Sequence, residues 1–200
     1  MHPMSRTLAL ILLFSATTAL ADDVKTNKEL QRDVNQQERI EQGMQSGELN
    51  TKEASRLERQ ESRVNSMEAK AASDGKVSNT EAARIHRAQS QVSHDIYSEK
   101  HDAQTGNPDS ASSQRMQKDV ARNINQEKRI QQGVQSGSLT EKEAANLQAG
   151  QARNDRREAR AGADGHVSAL DQQRVDTSED HQSRKIHRKK NNPRTDKTSQ

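Results

Sequence analysis

The sequence contains no cysteine and no tryptophan, and only one tyrosine, one phenylalanine and three prolines in 200 residues. Without cysteine, no disulfide can brace the fold, even in an oxidising compartment. Phe14 falls in an N-terminal apolar segment, so Tyr97 is the single aromatic residue of the remaining chain. That excludes nucleic-acid modules that stack bases on aromatic platforms. From residue 22 onward, Leu, Ile, Val, Met and Tyr number 25, about one position in seven. Such a composition sits below the level at which globular folding is the default, and argues against a deep-pocketed catalytic domain. Long apolar runs are also missing. Nothing approaches the roughly 20 residues of a membrane span.

The exception to this polarity is the start of the chain. Arg6 precedes the unbroken apolar stretch Leu8–Phe14, and Ala19-Leu20-Ala21 forms an A-x-A site before Asp22-Asp23. These are the three parts of a secretory signal, predicted over residues 1–21. Its apolar core is too short to span a bilayer. The expected location is periplasmic or secreted, in soluble form.

The chain carries an internal repeat. Residues 35–78 align without a gap onto 125–168, at a constant offset of 90, with 22 of 44 positions identical. NQQERIEQGMQSGELNTKEASRL in copy one corresponds to NQEKRIQQGVQSGSLTEKEAANL in copy two. The match weakens toward Ile96/Ile186 and Lys100/Lys190. Each copy is punctuated like three helices. Leu30, Val34 and Ile40 give the first a narrow apolar stripe. Gly47 and Gly137 sit where a left-handed residue ends a helix. Asn50…Glu53, Thr140…Glu143 and Ser78…Glu81 have the spacing of capping boxes, with Ser168…Asp171 as the fourth cap. Asp74-Gly75 and Asp164-Gly165 mark the second turn of each copy.

The sequence therefore predicts an all-α protein of two tandem helix-turn-helix-turn-helix repeats, 22–102 and 115–190. A flexible linker is expected over 103–114 and a basic disordered tail over 191–200. Copy two replaces Val64 and Met67 by Asn154 and Arg157, and Val92 by Gln182. Large apolar side chains contribute about 1.5–3 kcal/mol each when buried, so the second copy is expected to be the less ordered one.

Motifs that carry chemistry are few. Lys70–Glu81 resembles a calcium loop in Gly75, Val77 and Glu81, but Lys70 and Ala72 stand where oxygen ligands are required. Arg160 and Gly162 repeat the misfit in copy two, and the loops offering Gln42, Met44, Ser46 and Gln132, Val134, Ser136 are poorer still. His86, His94 and His101 share one side of a helix, yet His94 and His101 lie about 10 Å apart along its axis. Copy two has Asp176, Arg184 and Asn191 at those places, while its own His166, His181 and His187 match Lys76, Gln91 and Tyr97. No nucleophile elbow, zinc-protease helix or phosphate loop occurs. We expect no enzyme, no cofactor, and no catalytic, cofactor-binding or metal residues.

Charge is uneven. Residues 22–183 carry 24 bases and 28 acids, whereas 184–200 carry seven bases and one acid, net +6. Such a tail can bind an anionic surface by counterion release, without reading a nucleic-acid sequence.

The pattern R-I-x-Q-G-x-x-S-G-x-L, then K-E-A, A-x-x-D-G-x-V-S and IYSEKHDAQ resembles small exported proteobacterial proteins built on this helical unit. The resemblance spans about residues 27–104 and, more loosely, 117–192, departing at IHRKKNN where copy one has IYSEKHD. It implies export and helices, and carries no activity and no site residues. The functional expectation is a non-enzymatic periplasmic interaction or scaffolding protein, engaging a protein partner or a second copy through its apolar stripes. The alternative is a periplasmic binder of metal ions or polyanions.

Overall fold

The computed structural model describes residues 16–192, with side chains from residue 26. Most of the predicted signal and residues 193–200 of the tail lie outside this range. The described chain is all-helical, 81% helix, without strands. Six α-helices follow one another: α1 Ala16–Ser46, α2 Thr51–Ala71, α3 Asn79–Lys100, α4 Ala111–Gln135, α5 Glu141–Ala161 and α6 Ala169–Lys190. Ala, Glu, Gln, Lys and Arg dominate them, so intrinsic propensity favours each.

Their ends fall where the sequence places them. Asn50, Ser78 and Thr140 form complete capping boxes with Glu53, Glu81 and Glu143, and Ser168 caps α6 through Asp171 N–H. Gly47 ends α1 at φ +79°, a left-handed conformation that any Cβ would strain.

Within each copy the third helix is fastened to the first in the same way. Arg39 donates to Ser93 O and Arg129 to Ser183 O, both at 3.1 Å, while Gln36 and Gln126 reach the carbonyls of Gln89 and Glu179. The copies do not form separate bundles. Ser62 Oγ donates to Ala152 O at 2.8 Å, and Asn65 Nδ2 to Asp155 Oδ2 at 2.8 Å, so equivalent positions of α2 and α5 meet. Gly162 after α5 lies against Thr51 and Ser55, whereas Gly75 after α2 lies against Lys142. Helices α2 and α5 are thus antiparallel. Helices α1 and α4 are antiparallel too, with Lys128 on Glu38 at 2.7 Å and Gln131 on Gln31 at 2.9 Å. These relations describe an approximate two-fold axis through the middle of the molecule.

The core follows that symmetry. Ile40, Met44, Leu49, Ala54, Leu57 and Ile96 receive Val120 of copy two. Their equivalents Ile130, Val134, Leu139, Ala144, Leu147 and Ile186 receive Leu30 of copy one. Each apolar stripe is therefore covered by the other copy, and Tyr97 and Leu170 are the exposed large hydrophobics among the described residues.

The polar replacements in copy two are accommodated. Asn154 is buried and accepts from Ser178 Oγ at 2.6 Å, and buried Gln182 donates to Leu147 O at 2.8 Å. Gln182 lies directly over Gly150, which stands where copy one has Gln60, so the larger side chain at 182 occupies space given up at 150. Arg157 is exposed and donates to Ser178 Oγ at 2.7 Å. Of the stretch between copies, Ala111–Gln114 already belong to α4, and the rest is tied down by Gly106 N–H on Gly47 O at 2.8 Å and Gln117 Nε2 on Pro108 O at 3.0 Å.

Candidate functional site

Two features stand out once the helices are placed: a buried seam of acids and amides between the copies, and a basic face on α5 and α6.

The seam arises because charged and amide side chains occupy inward positions on all six helices. Asp33, Glu58, Glu61, Glu68, Asp119, Glu127, Asp155, Glu158 and Glu179 are all buried. Six of their equivalents in the other copy are amides: Asp33/Asn123, Gln37/Glu127, Glu58/Gln148, Glu61/Gln151, Asn65/Asp155 and Gln89/Glu179. Acid and amide exchange places between the copies. In copy one, Gln37 of α1 donates to Glu58 of α2 at 3.1 Å; in copy two, Gln148 of α5 stands beside Glu127 of α4. Asn123 donates to Glu158 at 2.8 Å, and Gln89 to Asp33 at 2.7 Å.

A carboxylate in such surroundings loses its hydration, and desolvation penalises the charged form. Burial raises Asp33 to about 6 and Glu58 to about 7. Burial and then the charges of Asp33, Glu58, Asp155 and Glu127 push Glu61 well above the ordinary range; neither of its oxygens has a partner. Glu68, Glu127, Asp155 and Glu158 are raised in the same way, with burial the first cause in each. Asp33 and Glu68 face each other closely enough to share a proton.

Clustered, shifted carboxyls are a hallmark of catalytic sites, but this seam lacks access. The cavity beside it, lined by Glu29, Glu68 and Gln148 among others, measures 10 Å³, about the room of one water. All nine acids are shielded from solvent.

A second acidic group, Asp119, Asp176 and Glu179, joins the seam to the surface. It is already supplied with cations. Arg122 Nε lies 2.7 Å from Glu179, and Lys118 Nζ lies 2.9 Å from Asp176.

The basic face follows the crossing of α5 and α6. At one end Arg157, Arg160 and Arg174 line a groove of 560 Å³ together with Asp171, Val175 and Ala161. At the other, Arg153, His181, Lys185, Arg188, Lys189 and Asn192 line a groove of 450 Å³ with no acid among them. Burial first, then the crowding of Arg153, Lys189 and Arg188, lowers the pKa of Lys185. The corresponding residues of copy one are Arg63, Gln91, Asp95, Ser98, Glu99 and Asp102. The duplication has thus diverged to give copy two the basic face alone.

The histidines are not gathered into a site. His94 Nδ1 is 3.2 Å from Ser98 Oγ, His101 stacks on Tyr97, and His166 Nδ1 is 3.2 Å from Ser112 Oγ. Among the described residues, the acidic groups able to hold a metal include no histidine. The calcium-like turns serve as helix ends, with Gly75 at φ +92° and Gly165 at φ +90°. Arg184–Lys190 of the basic tail belong to α6. No helix of the described chain is long and apolar enough to cross a membrane.

The seam escaped the sequence reading because Glu and Gln on a helix look like solvated positions. The signal that carries it is the exchange of acid for amide at equivalent positions. Comparisons with family models, curated proteins and solved structures gave no match.

Proposed function

We propose that the chain is a non-enzymatic, exported interaction protein whose partner is an anionic surface, engaged by the face of α5 and α6. The observation that carries this reading is the groove of Arg153, His181, Lys185, Arg188, Lys189 and Asn192, which no acid lines, with Lys189 paired to Glu143 at its edge. A second groove on the same two helices holds Arg157, Arg160 and Arg174 beside Asp171, and the residues equivalent to the first are not basic as a set in copy one. The expectation of self-association rested on uncovered apolar stripes. These stripes are covered within the chain, which shifts the weight toward charge. Cations held on rigid helices attract a polyanion without losing the ordering entropy of a loose tail.

The test is sedimentation with vesicles of anionic or neutral phospholipid. Binding is expected for the anionic vesicles at low salt, weakening steeply as salt is added. Replacing Lys185, Arg188 and Lys189 by Gln should abolish it. Removing Arg63, Lys70 and Arg84, the same number of charges from copy one, should leave most of it. Equal losses in the two variants, or no binding by the wild-type chain, would overturn the proposal.

A further inference from the structure

We propose that Glu53, Glu99 and Asp102 form a binding site for a hard divalent cation, of the calcium type, where the end of α3 meets the start of α2. The buried member of the group is Glu53. It holds the third position of α2, and its Oε2 accepts the Asn50 N–H at 2.9 Å to close the capping box. That role fixes the side chain. The residue is 1% exposed, and its other oxygen, Oε1, is buried with no partner.

One oxygen each from Glu53, Glu99 and Asp102 lie within 4.8 Å of one another. Oxygens separated in this way suit a shared ion at roughly 2.3–2.6 Å, the usual calcium–oxygen distance. Two bases stand nearby. Arg56 Nη1 stands 3.6 Å from Glu99 Oε1 at the exposed side, and Lys100 Nζ is turned to Glu48 at 3.1 Å. Burial raises the Glu53 pKa, and the charges of Asp102 and Glu99 raise it further against the lowering effect of Asn50.

Copy two supplies an internal comparison. Glu143 is the equivalent of Glu53, Lys189 of Glu99 and Asn192 of Asp102. There, Lys189 Nζ lies 3.1 Å from Glu143 Oε1. The fold thus seats a positive charge beside this glutamate when the sequence provides one. Copy one offers two further carboxylates instead, with Arg56 on Glu99 at 3.6 Å as the base beside them. An all-oxygen, carboxylate-rich set selects calcium, magnesium or manganese over the softer metals that prefer imidazole or thiolate.

Calcium chloride titrated into the full chain by calorimetry should give one saturable site. Three carboxylates imply a dissociation constant on the order of 10⁻⁴–10⁻³ M. About 10 mM calcium should raise the melting temperature. The double variant Glu99→Gln, Asp102→Asn should lose that response while staying folded by circular dichroism. Glu99→Lys, which copies the arrangement at Lys189, should melt higher than wild type without calcium and no longer respond to it. A wild-type chain with no saturable response up to about 10 mM, or a response that survives in both variants, overturns the assignment.

Discussion

Glu58 gives the buried seam its sharpest test. Its Oε2 accepts from Gln37 of α1, and its Oε1 has no partner. The acids around it are Glu61 on its own helix, Asp119 on α4, and Asp155 and Glu158 on α5. Burial, opposed by Gln37 and helped by Asp119, raises its pKa from 4.5 to about 7. The folded chain therefore holds this proton more tightly than the unfolded chain does. The stabilisation is complete below about pH 4.5 and disappears as pH rises through about 7. At about 1.4 kcal/mol for each pH unit, the loss is on the order of 3 kcal/mol, a large part of the stability of a small protein. Glu58→Gln installs a group that cannot ionise and that copy two already carries as Gln148. Urea unfolding followed by circular dichroism should show the wild-type chain weakening between about pH 5 and pH 8. The variant should lose about 3 kcal/mol less over that range, with the two chains converging near pH 5. A wild-type chain that gains stability toward pH 8, or a variant whose profile runs parallel to it, refutes the reasoning.

Two further substitutions test the fit between the copies. Gly150→Ala drives a methyl into the Gln182 side chain and should cost about 1–3 kcal/mol in denaturant unfolding. Adding Gln182→Val, which restores the residue of copy one at Val92, should recover most of that loss. Gly47→Ala forces a Cβ onto a residue at φ +79° and brings it 3.1 Å from Gly106 O; the expected cost is about 1–2 kcal/mol for the backbone, plus the crowding. Gly137→Ala meets nothing within 4 Å and should cost less. Equal melting temperatures for the two alanine variants would contradict the role given to the Gly47–Gly106 contact.

The local architecture was legible in the sequence because its signals are local. Asn50 and Glu53, or Ser78 and Glu81, are three residues apart, and Gly47 declares its own backbone conformation. The relation between the copies was not legible, because it rests on contacts such as Ser62 with Ala152, which no short window contains. The count of large apolar residues also understated the core. Gln36, Gln89, Gln151 and Asn154 are as buried as the leucines, and their amide stems fill volume that hydrophobicity does not register. Glu58 and Glu61 look like a solvated helix face until their equivalents, Gln148 and Gln151, are set beside them. The basic face was visible only in part. Lys185, Arg188 and Lys189 fall in the predicted helical repeat and count toward the basic end of the chain, but their alignment with Arg153 of α5 depends on how the two helices pack.

The antiparallel crossing of α2 and α5 has a consequence for what duplication can achieve. A dimer of identical single repeats would obey an exact two-fold axis and present every surface residue twice. Joining the repeats in one chain removes that obligation. Glu53 and Glu143 begin helices that run in opposite directions, about 27 Å apart at 1.5 Å per residue. One carries its carboxylate neighbours, the other its lysine, and the gene could alter either without the other. A fold that retains approximate symmetry thereby carries two unlike ends, one rich in carboxylates and one rich in basic side chains.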